Sequence, residues 1–120
     1  DVKKLKRRFD LYLKDMLKSI DRIKEYTSSL SFDEFTRNNI KVDAVMRNLE
    51  IIGEAVTQLP QEIKAKYGNV PWKDIQDFRI VVAHHYWKIN QERIWDIVKN
   101  KLNTLGQQIK EVLKKEMVKK

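Results

Sequence analysis

Apolar residues return at three- and four-residue steps along a chain with only three glycines and two prolines, and that spacing commits it to helices. Leu5, Phe9, Tyr12, Met16, Ile20, Ile23, Thr27 and Leu30 trace one face of a long first helix. Ser31-Phe-Asp-Glu34 has the form of a capping box and predicts the start of a short helix. A second long helix is expected from about Asn38 to Leu59, with Val45, Leu49, Ile52, Val56 and Leu59 on one face. Ala44, Ile51 and Ala55 form a second apolar stripe beside it, so this helix is either central in a bundle or part of a dimer interface. Pro60 suits the first turn of a short helix, and Gly68-Asn69-Val70-Pro71 is a break. A third helix is predicted from about Trp72 to Trp87. Asn90 is a candidate N-cap for the last, whose inward residues are Ile94, Ile97, Val98, Leu102, Leu105, Ile109 and Val112. Short connections favour antiparallel neighbours. The expectation is an all-α, up-and-down four-helix-type bundle with short extra helices, one domain over residues 1–120.

At 120 residues and 42% hydrophobic, the chain is long enough for one core and too short for two. It has no cysteine, which excludes a disulfide framework and thiol catalysis and fits a reducing cytoplasm. No apolar run reaches the roughly 20 residues of a membrane span, and no signal-peptide pattern is read. The net charge of +8 permits an anionic partner such as RNA, or serves solubility. Lys3, Lys4, Lys6, Arg7 and Arg8 crowd the start of the first helix, where the helix dipole disfavours cations.

The chemistry concentrates in Arg79-Ile-Val-Val-Ala-His84-His85-Tyr86, which holds both histidines of the chain. Arginine stays charged and grips phosphate in a fork. Histidine moves protons near neutrality. These are parts for phosphodiester cleavage without a metal: a neutral His takes the 2′-OH proton, a His⁺ protonates the leaving oxygen, and Arg79 stabilises the phosphorane. No HxxxH or HExxH spacing exists, so no metal is expected. On an ideal helix Arg79 and Tyr86 share a face, but Arg79 and His84 project about 140° apart. Either the helix bends or ends near His84, or two chains supply the site; a symmetric dimer through this helix would bring two Arg and two His to one axis. The same residues also read as a helix-end capping network with no catalysis. Gly53 inside the second helix implies close packing of another helix, which lets the adjacent Glu54 pair with Arg79 or orient a His, or simply face solvent. Trp72, Trp87 and Trp95 can stack bases but suit core anchoring better. Arg47 and Lys88 read as a solvated face or as phosphate contacts.

Arg79-x4-His84-x-Tyr86 resembles the signature of the HEPN superfamily, specifically the HepT-like toxins. The run Asp43-Ala-Val-Met-Arg-Asn-Leu-Glu-Ile-Ile-Gly-Glu-Ala55 and the block Val70-Pro-Trp72 are similar to that family's, in matching order. The resemblance implies an all-α bundle that dimerises through the motif-bearing helices. It implies a metal-independent, cofactor-free endoribonuclease, the toxin of a type VII toxin–antitoxin pair, with Arg79 and His84 catalytic and RNA as substrate. It implies a partner, a minimal nucleotidyltransferase that blocks the nuclease by transferring AMP to Tyr86. Glu54 and His85 are candidate supporting residues. One position departs. The residue after the motif arginine is usually polar in the family, and here it is Ile80, which can neither hydrogen-bond RNA nor orient a catalytic group. That departure keeps an alternative open, a non-catalytic HEPN binding module or scaffold partnering a nucleotidyltransferase.

Overall fold

A computed structural model describes the backbone of residues 2–83 and 87–118 and the side chains of residues 9–83 and 91–117. It is all-α in those residues, with extents of 47 × 26 × 22 Å. Helix α1 (Val2–Thr27) is 26 residues long. Its buried face is Phe9, Leu13, Met16, Ile20 and Ile23, with Thr27 closing it. Leu13 is fully buried at the centre of that face, whereas Tyr12 is half-buried at its edge. Helix α2 (Phe32–Thr36) opens with the expected capping box: Ser31 Oγ accepts from the Glu34 N–H, and the Glu34 carboxylate accepts from the Ser31 N–H at 3.0 Å. That backbone donor holds the Glu34 carboxyl below its ordinary value of 4.5.

Helix α3 (Asn39–Thr57) begins where Asn38 Oδ1 accepts from the Lys41 N–H at 3.1 Å. Val45, Leu49, Ile52 and Val56 are fully buried, as the periodicity predicts. The helix packs against α1 on one flank and the α5 and α6 segment on the other, with α2 also in contact. This central place accounts for its second stripe, of which Ala55 is buried and Ala44 and Ile51 half-buried. Pro60 stands at the N-cap of α4 (Gln61–Lys66), one position ahead of the predicted first turn, and the break at 68–71 follows.

The predicted helix from Trp72 to Trp87 is not continuous. It divides at Asp77 into α5 (Trp72–Gln76) and α6 (Phe78–Ala83). The Asp77 N–H closes α5 on the Lys73 carbonyl at 3.0 Å, while its own carbonyl accepts from Ile80 and Val81 and starts α6. Aspartate prefers such helix ends to interiors. Asn90 is not an N-cap either. It lies within α7 (Trp87–Asp96), because nothing after Trp87 interrupts the helix. A π turn (Ile97–Lys101) joins α7 to α8 (Leu102–Val118). Lys24 Nζ donates to Asn103 at 2.8 Å, and Gly106 lies against Ile20, so α1 and α8 run antiparallel.

Near its end α8 is fastened to α4. The Tyr67 hydroxyl donates to the Glu116 carboxylate, which also takes Lys66 Nζ at 2.8 Å. Burial, then the Glu116 carboxylate, pushes the Tyr67 hydroxyl above its ordinary value of 10.0. The folded state therefore favours neutral Tyr67. Its contribution to stability is complete below pH 10.0 and is lost as the pH rises through the raised folded value. In the Tyr67→Phe protein the Glu116 side chain, 7% exposed, is one donor short. That variant is expected to lose about 1–3 kcal/mol at neutral pH and to show a shallower alkaline decline, measured by urea unfolding from pH 7 to 11.

Candidate active site around Arg79

The site is built where α6 lies on α3 at Gly53. A Cβ at Gly53 would fall 3.0 Å from the Arg79 backbone N, 3.1 Å from the Gln76 carbonyl O and 3.2 Å from Arg79 Cβ. A Cβ there would push the α5–α6 junction back by a few tenths of an ångström, and the close packing inferred from Gly53 is observed. Glu54, the next residue, projects about 100° further round α3. Its Oε1 lies 3.5 Å from Arg79 Nη1. Of the alternatives for Glu54, a long pairing with Arg79 is seen on a side chain that still faces solvent, and the orienting of a His lies outside the described residues.

The pair is loose. The side chains are 38% exposed for Arg79 and 54% for Glu54, so it adds little stability. Arg79 Nε is buried and has no hydrogen-bond partner among the described residues. A five-donor group with one long contact still has N–H capacity for an anion such as phosphate. His84, His85 and Tyr86, which follow α6, lie outside the described residues.

A family model described as HepT-like, Ribonuclease HepT-like, matches residues 16–112, which include Gly53, Glu54, Arg79 and positions 84–86. The chain belongs to the HepT-like ribonuclease family. A Methanocaldococcus jannaschii protein named a putative RNase is 43% identical over 103 residues, 86% of this chain and 85% of that one. Another so named, from Caldanaerobacter subterraneus, is 37% identical over 105 residues, 88% of this chain and 94% of that one. A probable ribonuclease HepT of Thermococcus cleftensis is 32% identical over 101 residues, 84% and 92% of the two chains. No solved structure gives a significant match.

In this HepT-like chain the motif arginine sits in the first turn of α6, and Ile80 beside it is 46% exposed. Sequence reasoning missed Asp77, whose carbonyl starts the helix that carries Arg79. The signal was present, because an aspartate favours helix ends over interiors. Trp72 is buried, its Nε1 donating to the Tyr67 carbonyl at 3.0 Å. Trp95 packs on Phe35 with centroids 5.0 Å apart and carries Lys99 Nζ at 4.7 Å over its ring. Both are anchors of the bundle. The Trp87 and Lys88 side chains lie outside those described, as do Lys3, Lys4, Lys6, Arg7 and Arg8. Arg47 is exposed and paired with Glu50 at 2.7 Å. Among the described residues no helix is long and apolar enough to cross a membrane. None of their His, Cys, Asp and Glu side chains form a group of three suited to a metal ion.

Proposed function

We propose that this chain is a metal-independent endoribonuclease toxin, active as a homodimer and neutralised by a nucleotidyltransferase antitoxin. The observation that carries this reading is the half-exposed guanidinium of Arg79, held among the described residues only by one 3.5 Å contact to Glu54. In the proposed reaction the 2′-OH attacks the adjacent phosphorus and the P–O5′ bond breaks. A neutral His84 accepts the 2′-OH proton, and the protonated His84 of the second chain supplies one to the departing 5′-oxygen. Products are a cyclic phosphate and a 5′-hydroxyl. Arg79 stabilises the charge that grows on the phosphorane oxygens. The dimer supplies both histidines, since His84 is five residues from Arg79 and would diverge from it on an ideal helix. His85 supports His84 as a second proton-carrying group. AMP transferred to Tyr86 would bring negative charge beside the cationic cleft and obstruct RNA.

Ile80 favours a second reading. An exposed apolar side chain next to the motif arginine suits a binding surface, and the chain would then be a non-catalytic HEPN scaffold for the nucleotidyltransferase. The deciding experiment is cleavage of total tRNA and single-stranded RNA in EDTA by the native chain, His84→Ala and Ile80→Asn. Cleavage by the native chain, lost in His84→Ala, is the expected result. Cleavage by Ile80→Asn alone would mean that the machinery is intact but disabled at that position. A set of folded dimers that never cut RNA would transfer the case to the scaffold.

A further inference from the structure

A cleft of about 570 Å³ separates the α5–α6 segment from the α7–α8 helix, on a side of α6 that the Arg79–Glu54 pair does not line. That volume is within the range of small-molecule sites. The lining is segregated. Buried Ile75, Phe78, Ile97 and Leu105 give it apolar surface. Asp74 and Asp77 stand on the α5 wall, and Arg93 and Lys101 on the wall formed by α7 and the π turn. None of these four charged side chains makes an ion pair among the described residues. Opposite charges on facing walls that do not meet leave room for a ligand that answers both.

The wall itself is irregular at the same place. The Leu102 N–H reaches the Ile97 carbonyl, five residues back, widening the turn that carries Asn100 and Lys101. Such π turns inside longer helices recur at functional sites. One end of the cleft is bridged by Gln108 Nε2, which donates to the Asn69 carbonyl at 3.3 Å. Phe78 lines the cleft, and the candidate catalytic Arg79 follows it on the same helix, turned to another face.

We infer that this cleft holds one guanosine nucleotide of the RNA strand beside the cut. Its base lies on the apolar surface, its phosphate meets Arg93 and Lys101, and its donor edge meets Asp74 or Asp77. The base is chosen by the carboxylates. A carboxylate only accepts, and guanine alone offers two adjacent donors, N1–H and the N2 amino group, to one of them. Adenine and cytosine set an acceptor beside their exocyclic amino group, and uracil flanks its single N–H with two carbonyls. Those acceptors would face Asp74 or Asp77 unpaired. Arginine and lysine then supply the phosphate contacts. The inference rests on the nuclease reading for the strand, but the cleft's own chemistry is testable without cleavage.

The test is titration of the full chain with GMP, AMP, CMP and UMP, followed by backbone amide NMR. GMP is expected to shift the signals of Asp74, Asn100, Lys101 and Thr104, and to bind about tenfold more tightly than the others. Asp74→Asn with Asp77→Asn should weaken GMP about tenfold and level the four nucleotides. Arg93→Ala, on an exposed surface, should weaken GMP but leave guanosine unchanged, which separates phosphate recognition from base recognition. Equal binding of all four by the native chain, shifts that map elsewhere, or none up to about 10 mM would overturn the inference. RNA cleavage without GMP binding would sink the cleft alone. GMP binding here without cleavage would sink the nuclease and leave the cleft standing.

Discussion

Arg79→Ala is expected to lower the rate of RNA cleavage about 10²–10³-fold while leaving the fold intact. The two halves of that expectation have separate grounds. On the reaction side, the phosphorane carries one more negative charge than the diester, and Arg79 is the motif's fixed cation. Its side chain is 38% exposed and Nη1 holds Glu54 only at 3.5 Å, so among the described residues the Nη donors are little engaged. On the stability side, the guanidinium sits at a half-exposed surface in one loose ion pair, worth about 0–1 kcal/mol. Alanine keeps the Cβ that packs over Gly53, 3.2 Å from where a side chain there would begin. Arg79→Lys should not restore the rate, because an ammonium lacks the planar fork. Glu54→Gln should fall between, about tenfold down, since it keeps an acceptor and loses the charge beside the guanidinium. Single-turnover cleavage in EDTA and a thermal melt on each variant read both quantities. A variant that melts far below the native chain would make Arg79 a structural residue, and an unchanged rate would remove it from the chemistry.

How much of this was legible in the sequence depends on whether a feature is local. The Ser31–Glu34 box is closed by residues three apart, and it is where the pattern put it. Gly53 announced a close helix contact because a glycine inside a helix has a cost that packing must offset. It could not say which helix would fill the space, and the partner proved to be the first turn of α6, 26 residues on from Gly53 to Arg79. The π turn left no trace in the apolar pattern. The last helix carries paired apolar residues, Ile97-Val98 and later Val112-Leu113, and a stripe that broad absorbs the face shift of one extra residue. Asp77 was hidden by the strength of the run after it, Phe-Arg-Ile-Val-Val-Ala, which reads as a helix continuing rather than one starting. The charged lining of the α5–α8 cleft was least legible. Asp74, Asp77, Arg93 and Lys101 each look like ordinary solvated charges, and only tertiary packing sets them on facing walls.

The other large effect belongs to Gly53. Gly53→Leu is expected to cost about 2–3 kcal/mol of stability by overpacking, and to reduce cleavage even at temperatures where the variant is folded. A Cβ alone would meet backbone at 3.0 and 3.1 Å, tighter than ordinary contact, and neither the Arg79 N nor the Gln76 carbonyl can rotate away as a side-chain tip can. The added isobutyl group has to lift the α5–α6 junction off α3. Helix propensity pulls the other way by about 1 kcal/mol, so Gly53→Ala separates the terms and should come out near neutral or mildly destabilised. The junction that moves is the one that carries Arg79, so displacement reaches the chemistry directly. A misplacement on the order of 1 Å can cost about 10²-fold in rate. Gly106→Ala is the control: its Cβ would meet Ile20 Cγ2 at an ordinary 3.6 Å, so it should gain up to about 1 kcal/mol of stability from helix propensity and leave cleavage unchanged. Urea unfolding and cleavage measured on the three variants decide the matter. A Gly53→Leu protein as stable and as active as the native chain would mean that α6 does not rest on α3 as described.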